Sequence, residues 1–380
     1  MTAEIWADFW LKRLEPTQDY LACPCPSFFN HLVGTRYETV KGLILAGGFA
    51  TRLRPLSCSK PKLLFPIVGV PLIDVMLDWM KPAGVTEVIL AVNHLADRMR
   101  KEIGEKRRGL DVLYSIEPEP LGTGGPLRLA KNLLGSDEPF LVINGDIVSN
   151  LDLRKIVKVH EDNDHIEATI ALVEVPDPSH YGLVRMDKDR RIKQFDEKTK
   201  NVDGSGVVNA GVYILSPEVL EKIPSSGMVS IERQVFPKLA KDNLMQGWEH
   251  RGGYWYDVGK IPDYVRVNRE LLEQSHTTNR AGKEGPTYVG RGSVIEQSAQ
   301  IGAYSILSDK VTVKSGSRIR DSIVFEETLV EEKCQIEGAI VGERVRLGTG
   351  VRLGPGSLVA GEISIPAGRT FGENSVVLNA

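Results

Sequence analysis

Apolar residues recur at every sixth position through the last quarter of the chain. Val289, Ile295, Ile301, Leu307, Val313, Ile319 and Phe325 hold this step, and after one slip Val341, Leu347, Leu353, Val359 and Ile365 resume it. Chance alternation in ordinary strands would not keep its phase over twelve positions. A six-residue step with glycines and small residues between is the pattern of a parallel β-helix, in which each short strand stacks on the coil below. Residues 286–380 are therefore expected to form a left-handed parallel β-helix, preceded by a polar, glycine-containing linker over 271–285.

Ahead of it the pattern changes. Residues 42–46, 88–92, 110–116 and 140–143 are short apolar runs of the length and type of buried parallel strands, and Leu72 to Lys81 places Leu72, Ile73, Met76, Leu77 and Met80 at helical spacing. Strands separated by helical stretches predict βαβ units and a Rossmann-like, doubly wound α/β sheet over 40–270. In such sheets ligands sit beyond the carboxyl ends of the strands. Gly47-Gly48, Glu117 and Asp146 each follow a strand end directly and should converge there. Residues 1–39 stand outside this scheme. Ile5, Trp6, Phe9, Trp10 and Leu14 suggest a short amphipathic helix of unknown role.

Bulk composition excludes several classes. With 47 basic against 50 acidic residues the net charge is -3, which gives no support to nucleic-acid coating or membrane-surface binding. No apolar run approaches the ~20 residues of a membrane span, and Asp8, Lys12, Arg13 and Glu15 break up any secretory signal. Cys23, Cys25, Cys58 and Cys334 are scattered without paired C-x-x-C spacing, so Cys58 and Cys334 read as free thiols and the setting as reducing and cytoplasmic.

The stretch VKGLILAGGFATRLRPLSCSKPK, Val40 to Lys62, carries the strongest chemical signal. An apolar strand runs into two glycines, whose backbone N–H groups can cradle phosphate. Arg52, Arg54, Lys60 and Lys62 follow, cations suited to a triphosphate. The spacing fits neither the P-loop nor the dinucleotide fingerprint. As a whole, Leu45-Ala46-Gly47-Gly48-Phe49-Ala50-Thr51-Arg52-Leu53-Arg54-Pro55-Leu56-Ser57 with Pro61-Lys62 resembles the signature of the sugar-1-phosphate nucleotidyltransferases, L-A-G-G-x-G-T-R-L-x-P-L-T…P-K-P, and the likeness extends over roughly residues 40 to 375. Ala50 stands where that signature has glycine, and its Cβ requires a negative φ. Leu63 stands where it has proline.

The resemblance implies further roles. Leu45, Ala46, Gly47 and Gly48 would bind nucleotide. Glu117-Pro118-Glu119-Pro120-Leu121-Gly122 looks like the base-reading loop, with Gly122 letting the backbone meet the base edge. A carboxylate at 117 can accept both N1–H and N2–H of guanine, whereas an amide would suit uracil or thymine, so Glu117 leans towards GTP. The plain alternative is a solvated loop glutamate. Asp146, in Asn144-Gly145-Asp146, and Asp257, in Trp255-Tyr256-Asp257-Val258-Gly259, resemble the family's two Mg²⁺ carboxylates, as a cation shared with phosphates requires. Tyr181-Gly182, Phe195-Asp196-Glu197-Lys198 and Val208-Asn209-Ala210-Gly211 resemble the sugar-phosphate segments, which assigns Gly182, Glu197, Lys198 and Asn209 to that substrate. Thr199 replaces the proline expected after Lys198. Ser230-Ile231-Glu232 resembles the guanylyl branch. Arg52, Lys62, Asp146 and Asp257 are then the catalytic set, acting by positioning and charge neutralisation.

Other readings remain at this level. The resemblance favours mannose 1-phosphate as the sugar substrate; a uridylyl- or thymidylyltransferase acting on glucose 1-phosphate, or a guanylyltransferase for another manno-configured sugar such as a heptose, would share most of these motifs. A β-helix acyltransferase needs a histidine base, but all seven histidines end at His276. A regulatory paralogue would tend to lose the cations or carboxylates retained here. The β-helix is read as an assembly or regulatory module making homo-oligomers. His160, His165 and His180 show no nucleophilic arrangement and read as surface or loop residues.

Overall fold

The computed structural model describes residues 40–197, 204–275 and 285–378. The N-terminal helix, Cys23-Pro24-Cys25, Lys198, Thr199 and most of the linker lie outside these residues. The described chain forms two compact units. One comprises 40–48 and the described part of Ile73–Asp257; the other comprises Phe49–Leu72 and the described part of the chain from Val258.

The first unit is built on β1 (Val40–Leu45), β2 (Val85–Val92), β3 (Leu110–Ile116) and β4 (Phe140–Asn144), which pair in parallel in the order β4-β1-β2-β3. Leu43, Ile89, Phe140 and Val142 from three of these strands sit in one core cluster, fully buried as both-face-covered parallel strands require. The sheet then departs from the all-parallel expectation. After β5 (Ile147–Ser149), α2 (Leu153–Glu161) leads to β6 (Ala168–Val175), β7 (Gly182–Met186), β8 (Ile192–Glu197) and β9 (Gly206–Leu215). β9 pairs antiparallel with β4, β6 and β7, and β7 with β8. β10 (Met245–His250) adds in parallel to β6, and β11 (Trp255–Asp257) makes an antiparallel ribbon with β5. The sheet is mixed because, after β4, strands such as β7 and β8 are sheet neighbours joined by a short connection. Only antiparallel neighbours can be joined in that way. Preceding β2, α1 (Leu72–Met80) buries Leu72, Ile73, Met76, Leu77 and Met80, the residues its spacing predicts.

His160 is not a surface histidine. It lies on α2 at 3 % exposure, with Nδ1 2.9 Å from Thr169 Oγ1 and Nε2 3.1 Å from Ser216 Oγ. Gln246 Nε2 donates to the same Thr169 hydroxyl and to Val159 O. Burial pushes the imidazole down from 6.5 to about 4. Between those values the unfolded chain takes up the proton and the folded one does not. Stability is therefore full above pH 6.5 and falls as the pH drops towards 4, by roughly 3 kcal/mol from this group. Urea midpoints measured from pH 7 to 4 should fall less steeply in His160→Gln than in the parent. Parallel slopes would remove His160 as the cause. His165 and His180 are exposed, as expected.

The second unit carries α4 (Ile261–Gln274), which continues past residue 270 into the segment read as linker. From Tyr288 onward, two- and three-residue strands are dealt in turn to three parallel sheets of six, five and five strands. That is the coil of a parallel β-helix, consistent with the left-handed form. Val289 stacks on Leu307, Ile295 on Val313 and Ile301 on Ile319, one coil of 18 residues apart. The inward residue after Ile319 is Val324, not Phe325: Leu307, Val324 and Val341 stack at steps of 17. The repeat thus shortens twice by one residue, between Ile319 and Val324 and between Ile336 and Val341. Phe325 falls one place beyond the inward position yet is fully buried. Its ring lies edge-on against Phe65 at 5.5 Å and Tyr264 at 6.3 Å. Its hydrophobicity answers to these two rings and not to the coil interior.

Candidate active site

Register brings the four parallel strands to a common edge. Leu45 lies opposite Ala91 and Asn144, and Val92 lies opposite Ile116. Ala46-Gly47-Gly48, Asn93, Glu117 and Gly145-Asp146 follow at once. Ala46 N–H donates to Ala91 O and Gly145 N–H to Leu45 O, which ties these strand ends together. Glu117 is not solvated. It is 4 % exposed, and its Oε2 accepts the Leu121 N–H at 3.0 Å. Its Oε1 lies so close to Gly47 that a Cβ there would sit 2.2 Å away. Only glycine fits at 47 while Glu117 keeps this place. Desolvation raises the Glu117 carboxyl above its ordinary range, opposed by the Leu121 hydrogen bond. Gly47→Ala should cost about 1–3 kcal/mol by overpacking, read as a lower urea midpoint. Adding Glu117→Ala should recover most of the loss. No recovery would mean that the carboxylate is not what the methyl meets.

The segment after Glu117 is docked on Val229–Glu232. Gly122, at φ 81, bridges to Val229, whose carbonyl oxygen would be 2.4 Å from a Cβ at 122. Gly124 N–H donates to Val229 O and Val229 N–H to Leu121 O. Thr123 Oγ1 donates to Glu232 Oε2 at 2.6 Å and accepts the Ile231 N–H. Ser230 caps α3 (Ile231–Gln234) by accepting the Arg233 N–H, and its hydroxyl also donates to Glu232. Ser230-Ile231-Glu232 is thus the clamp that shapes the loop carrying Gly122. This role of Thr123, Val229 and Glu232 was not visible in the sequence, since the segments are over a hundred residues apart.

On the β5–β11 ribbon, Asp257 lies opposite Ile147, the residue after Asp146. The two aspartates are therefore neighbours across paired strands, both half-buried. No group of three or more His, Cys, Asp or Glu residues that could hold a metal occurs among the described residues. Two carboxylates with the remaining positions left to phosphate oxygens and water are a donor set that suits Mg²⁺, and is too oxygen-rich and too small for structural zinc.

Beside this ribbon the ladder between β9 and β6 is interrupted between Asn209 and Tyr213. Asn209 Oδ1 accepts the Gly211 N–H and its Nδ2 donates to Tyr213 Oη, each at 2.9 Å. These two bonds use half of the amide's capacity. Trp255 Nε1 donates to Ala210 O, and the Trp255 ring meets Tyr181 edge-on at 5.3 Å. Gly182 lies opposite Glu197 in the β7–β8 ladder. One face therefore gathers Tyr181, Gly182, Asn209 and Trp255 beside the aspartate ribbon's own strand.

The second unit holds Arg52, exposed on a single 3₁₀ turn (Thr51–Leu53), and Lys62, half-buried at the start of another (Lys62–Leu64). Ala50 adopts φ 46, ψ 41, left-handed despite its Cβ. The expected negative φ is overturned. Its carbonyl accepts both the Leu53 N–H at 2.9 Å and the Ser57 hydroxyl at 2.8 Å, which hold the turn against the ~1–2 kcal/mol that the conformation costs. Lys60 is set apart from the exposed Arg52 and half-buried Lys62: it is 2 % exposed and ion-paired with Glu326.

A family model described as nucleotidyl transferase matches residues 41–274. The chain belongs to this family. A second model, the GMPPB C-terminal domain, matches residues 283–379 of the same nucleotidyltransferase. A probable mannose-1-phosphate guanylyltransferase 2 of Oryza sativa subsp. japonica is 36% identical over 83% of this chain and 89% of its own. A mannose-1-phosphate guanyltransferase of Hypocrea jecorina is 33% identical over 90% of this chain and 98% of its own. Among solved structures, HddC from Yersinia pseudotuberculosis matches with a TM-score of 0.53 and 30% identity, covering 61% of this chain and 100% of that one. A structure of the same protein complexed with GMP-PN matches at 0.52. No helix of this nucleotidyltransferase, among the described residues, is long and apolar enough to cross a membrane.

Proposed function

We propose that this nucleotidyltransferase transfers GMP from GTP to a sugar 1-phosphate, mannose 1-phosphate being favoured, and releases pyrophosphate. The observation that carries the reading is Glu117: a buried carboxylate at a strand end, held against Gly47 with one oxygen facing the glycine loop. It is a group that suits a guanine edge with two adjacent donors. Relatives named mannose-1-phosphate guanylyltransferases over most of the chain support the same substrates.

The chemistry needs no covalent nucleophile. A phosphate oxygen of the sugar 1-phosphate attacks the α-phosphorus in line. A new P–O bond forms, the bond from the α-phosphorus to the bridging oxygen breaks, and pyrophosphate leaves with the electron pair. Asp146 and Asp257 are the residues that would hold Mg²⁺, which when bound offsets phosphate charge. Arg52 and Lys62 are assigned to the triphosphate, Lys198 to the attacking phosphate, and Gly182, Glu197 and Asn209 to the sugar. Catalysis is then positioning and electrostatic stabilisation. Cys58 and Cys334, both free, fit a reducing, cytoplasmic setting, and the β-helix is assigned to self-assembly.

Pyrophosphate release with mannose 1-phosphate and Mg²⁺, compared across GTP, UTP and dTTP, tests the proposal. A GTP preference of tenfold or more is expected. Preference for UTP or dTTP would overturn the base assignment, and loss of release with every sugar phosphate would overturn the transferase reading.

A further inference from the structure

The segment bearing Arg52 and Lys62 is tied along its length to the other elements of its own unit. Ser59 Oγ donates to Glu343 Oε1 at 3.2 Å, and Lys60 is paired with Glu326. The Phe65 ring is covered edge-on by Tyr264 and Phe325 at 5.7 and 5.5 Å. Pro66 O accepts the Tyr264 hydroxyl, and Asn268 Oδ1 accepts the Val68 N–H. At Gly69 the Tyr288 ring takes the place of a side chain, with a ring atom 2.0 Å from where a Cβ would be.

Two of these ties come from one column of the β-helix. Glu326 and Glu343 stand two places after Val324 and Val341, which stack on successive coils. They therefore occupy equivalent positions about 4.8 Å apart along the coil axis. The next position up the column is Gly361, and a Cβ there would lie 2.8 Å from Ser59 Oγ and from the Glu343 carboxyl carbon. The column thus offers two carboxylates and then a gap; the Ser59 hydroxyl lies at the gap, and Lys60 pairs with Glu326 lower in the column. Stacked carboxylates repel, and Glu343 is fully buried. Lys60, itself 2 % exposed, neutralises charge that would otherwise be costly to shield from water. A buried lysine two residues from Lys62 has little freedom, so the ion pair constrains where Lys62 begins its turn.

We propose that Lys60 and Glu326 are positioning residues for nucleotidyl transfer, through which the β-helix holds the loop of Arg52 and Lys62 in its working shape. The proposal deepens the reading of the preceding section and rests on it for the reaction. It assigns the β-helix a part in the catalytic step beyond assembly.

The full chain carrying Lys60→Met, Lys60→Arg or Glu326→Gln would be compared with the parent in two measurements. In steady-state pyrophosphate release, Lys60→Met and Glu326→Gln should lose at least tenfold in kcat/KM for the nucleotide. KM for the sugar phosphate should stay within twofold, and Lys60→Arg should retain most of the parental activity. In hydrogen exchange, the amides of Leu53, Leu64 and Phe65 should exchange at least tenfold faster in Lys60→Met and Glu326→Gln, while Val313 and Val330 in the β-helix keep the parental rate. Exchange reads the anchor with no reaction involved, so a parent inactive on every substrate would defeat the transferase reading without touching the anchoring result. The proposal is overturned if both charge-removing variants keep loop exchange and nucleotide kcat/KM within twofold. It is equally overturned if Val313 and Val330 exchange faster in step with the loop, which would mark a general loss of stability.

Discussion

Asp146→Asn and Asp257→Asn are each expected to lower pyrophosphate release about 10³-fold, the usual scale for removing one electrostatic group aimed at developing phosphate charge. The pairing of β5 with β11 puts Asp257 opposite Ile147, so the two carboxylates are neighbours, and under the proposed function they would act as a unit. Residues that act as a unit are not additive. The double variant should therefore be little worse than the poorer single one. Asn keeps the shape of Asp but not its charge, so near-ultraviolet circular dichroism should match the parent. Each single variant should also need a higher Mg²⁺ concentration for half-maximal release. Activity within threefold of the parent for either variant would remove that carboxylate from the metal site.

Exchanging Glu117 for Gln should move base preference from GTP towards UTP or dTTP, with the GTP advantage falling about 10- to 100-fold. That is the range for one bidentate contact to a base edge. The amide would still accept the Leu121 N–H, as Glu117 Oε2 does now, so the loop keeps its shape and the change falls on discrimination. The parent adds a pH signature. Desolvation raises the Glu117 carboxyl above 4.5, so the carboxylate is lost on acidification sooner than an ordinary glutamate would be. GTP preference should therefore fade on lowering the pH in the parent and stay flat in Glu117→Gln. The sign for stability is opposite. The native state binds this proton more tightly than the unfolded chain, so the carboxyl weakens folding at neutral pH, and Glu117→Gln should be at least as stable as the parent at pH 7. A preference unchanged by Glu117→Gln would place base reading elsewhere.

Several elements were legible because local physics determines them. β3 spans Leu110–Ile116, the apolar run read from the sequence, and α1 buries the five residues that its spacing predicts. Strand ends were legible too, so the sequence alone places Gly47, Glu117 and Asp146 on one edge. The antiparallel half of the sheet was not. Its strands alternate less cleanly, and their partners are chosen by which connections are short enough to reach.

At the site, residue types were readable while their surroundings were not. Nothing in the sequence told a buried Glu117 from a solvated one. That depends on Gly47, seventy residues away, leaving space for Oε1. Lys60 read as one more phosphate cation, and His160 as a surface ring. Each is buried with partners that other elements supply, Glu326 for one and Thr169 with Ser216 for the other.

By itself the sequence determined the family, the two folding patterns and the residue types of the site. These rest on periodicity, on glycine placement and on contiguous motifs, all properties of neighbours along the chain. Only the tertiary structure decided the protonation environments of Glu117 and His160, the register that makes Asp146 and Asp257 neighbours, and the burial of Phe325 outside the coil. These depend on which residues far apart in sequence exclude water from one another, and burial is a property of the folded surface that no local pattern encodes.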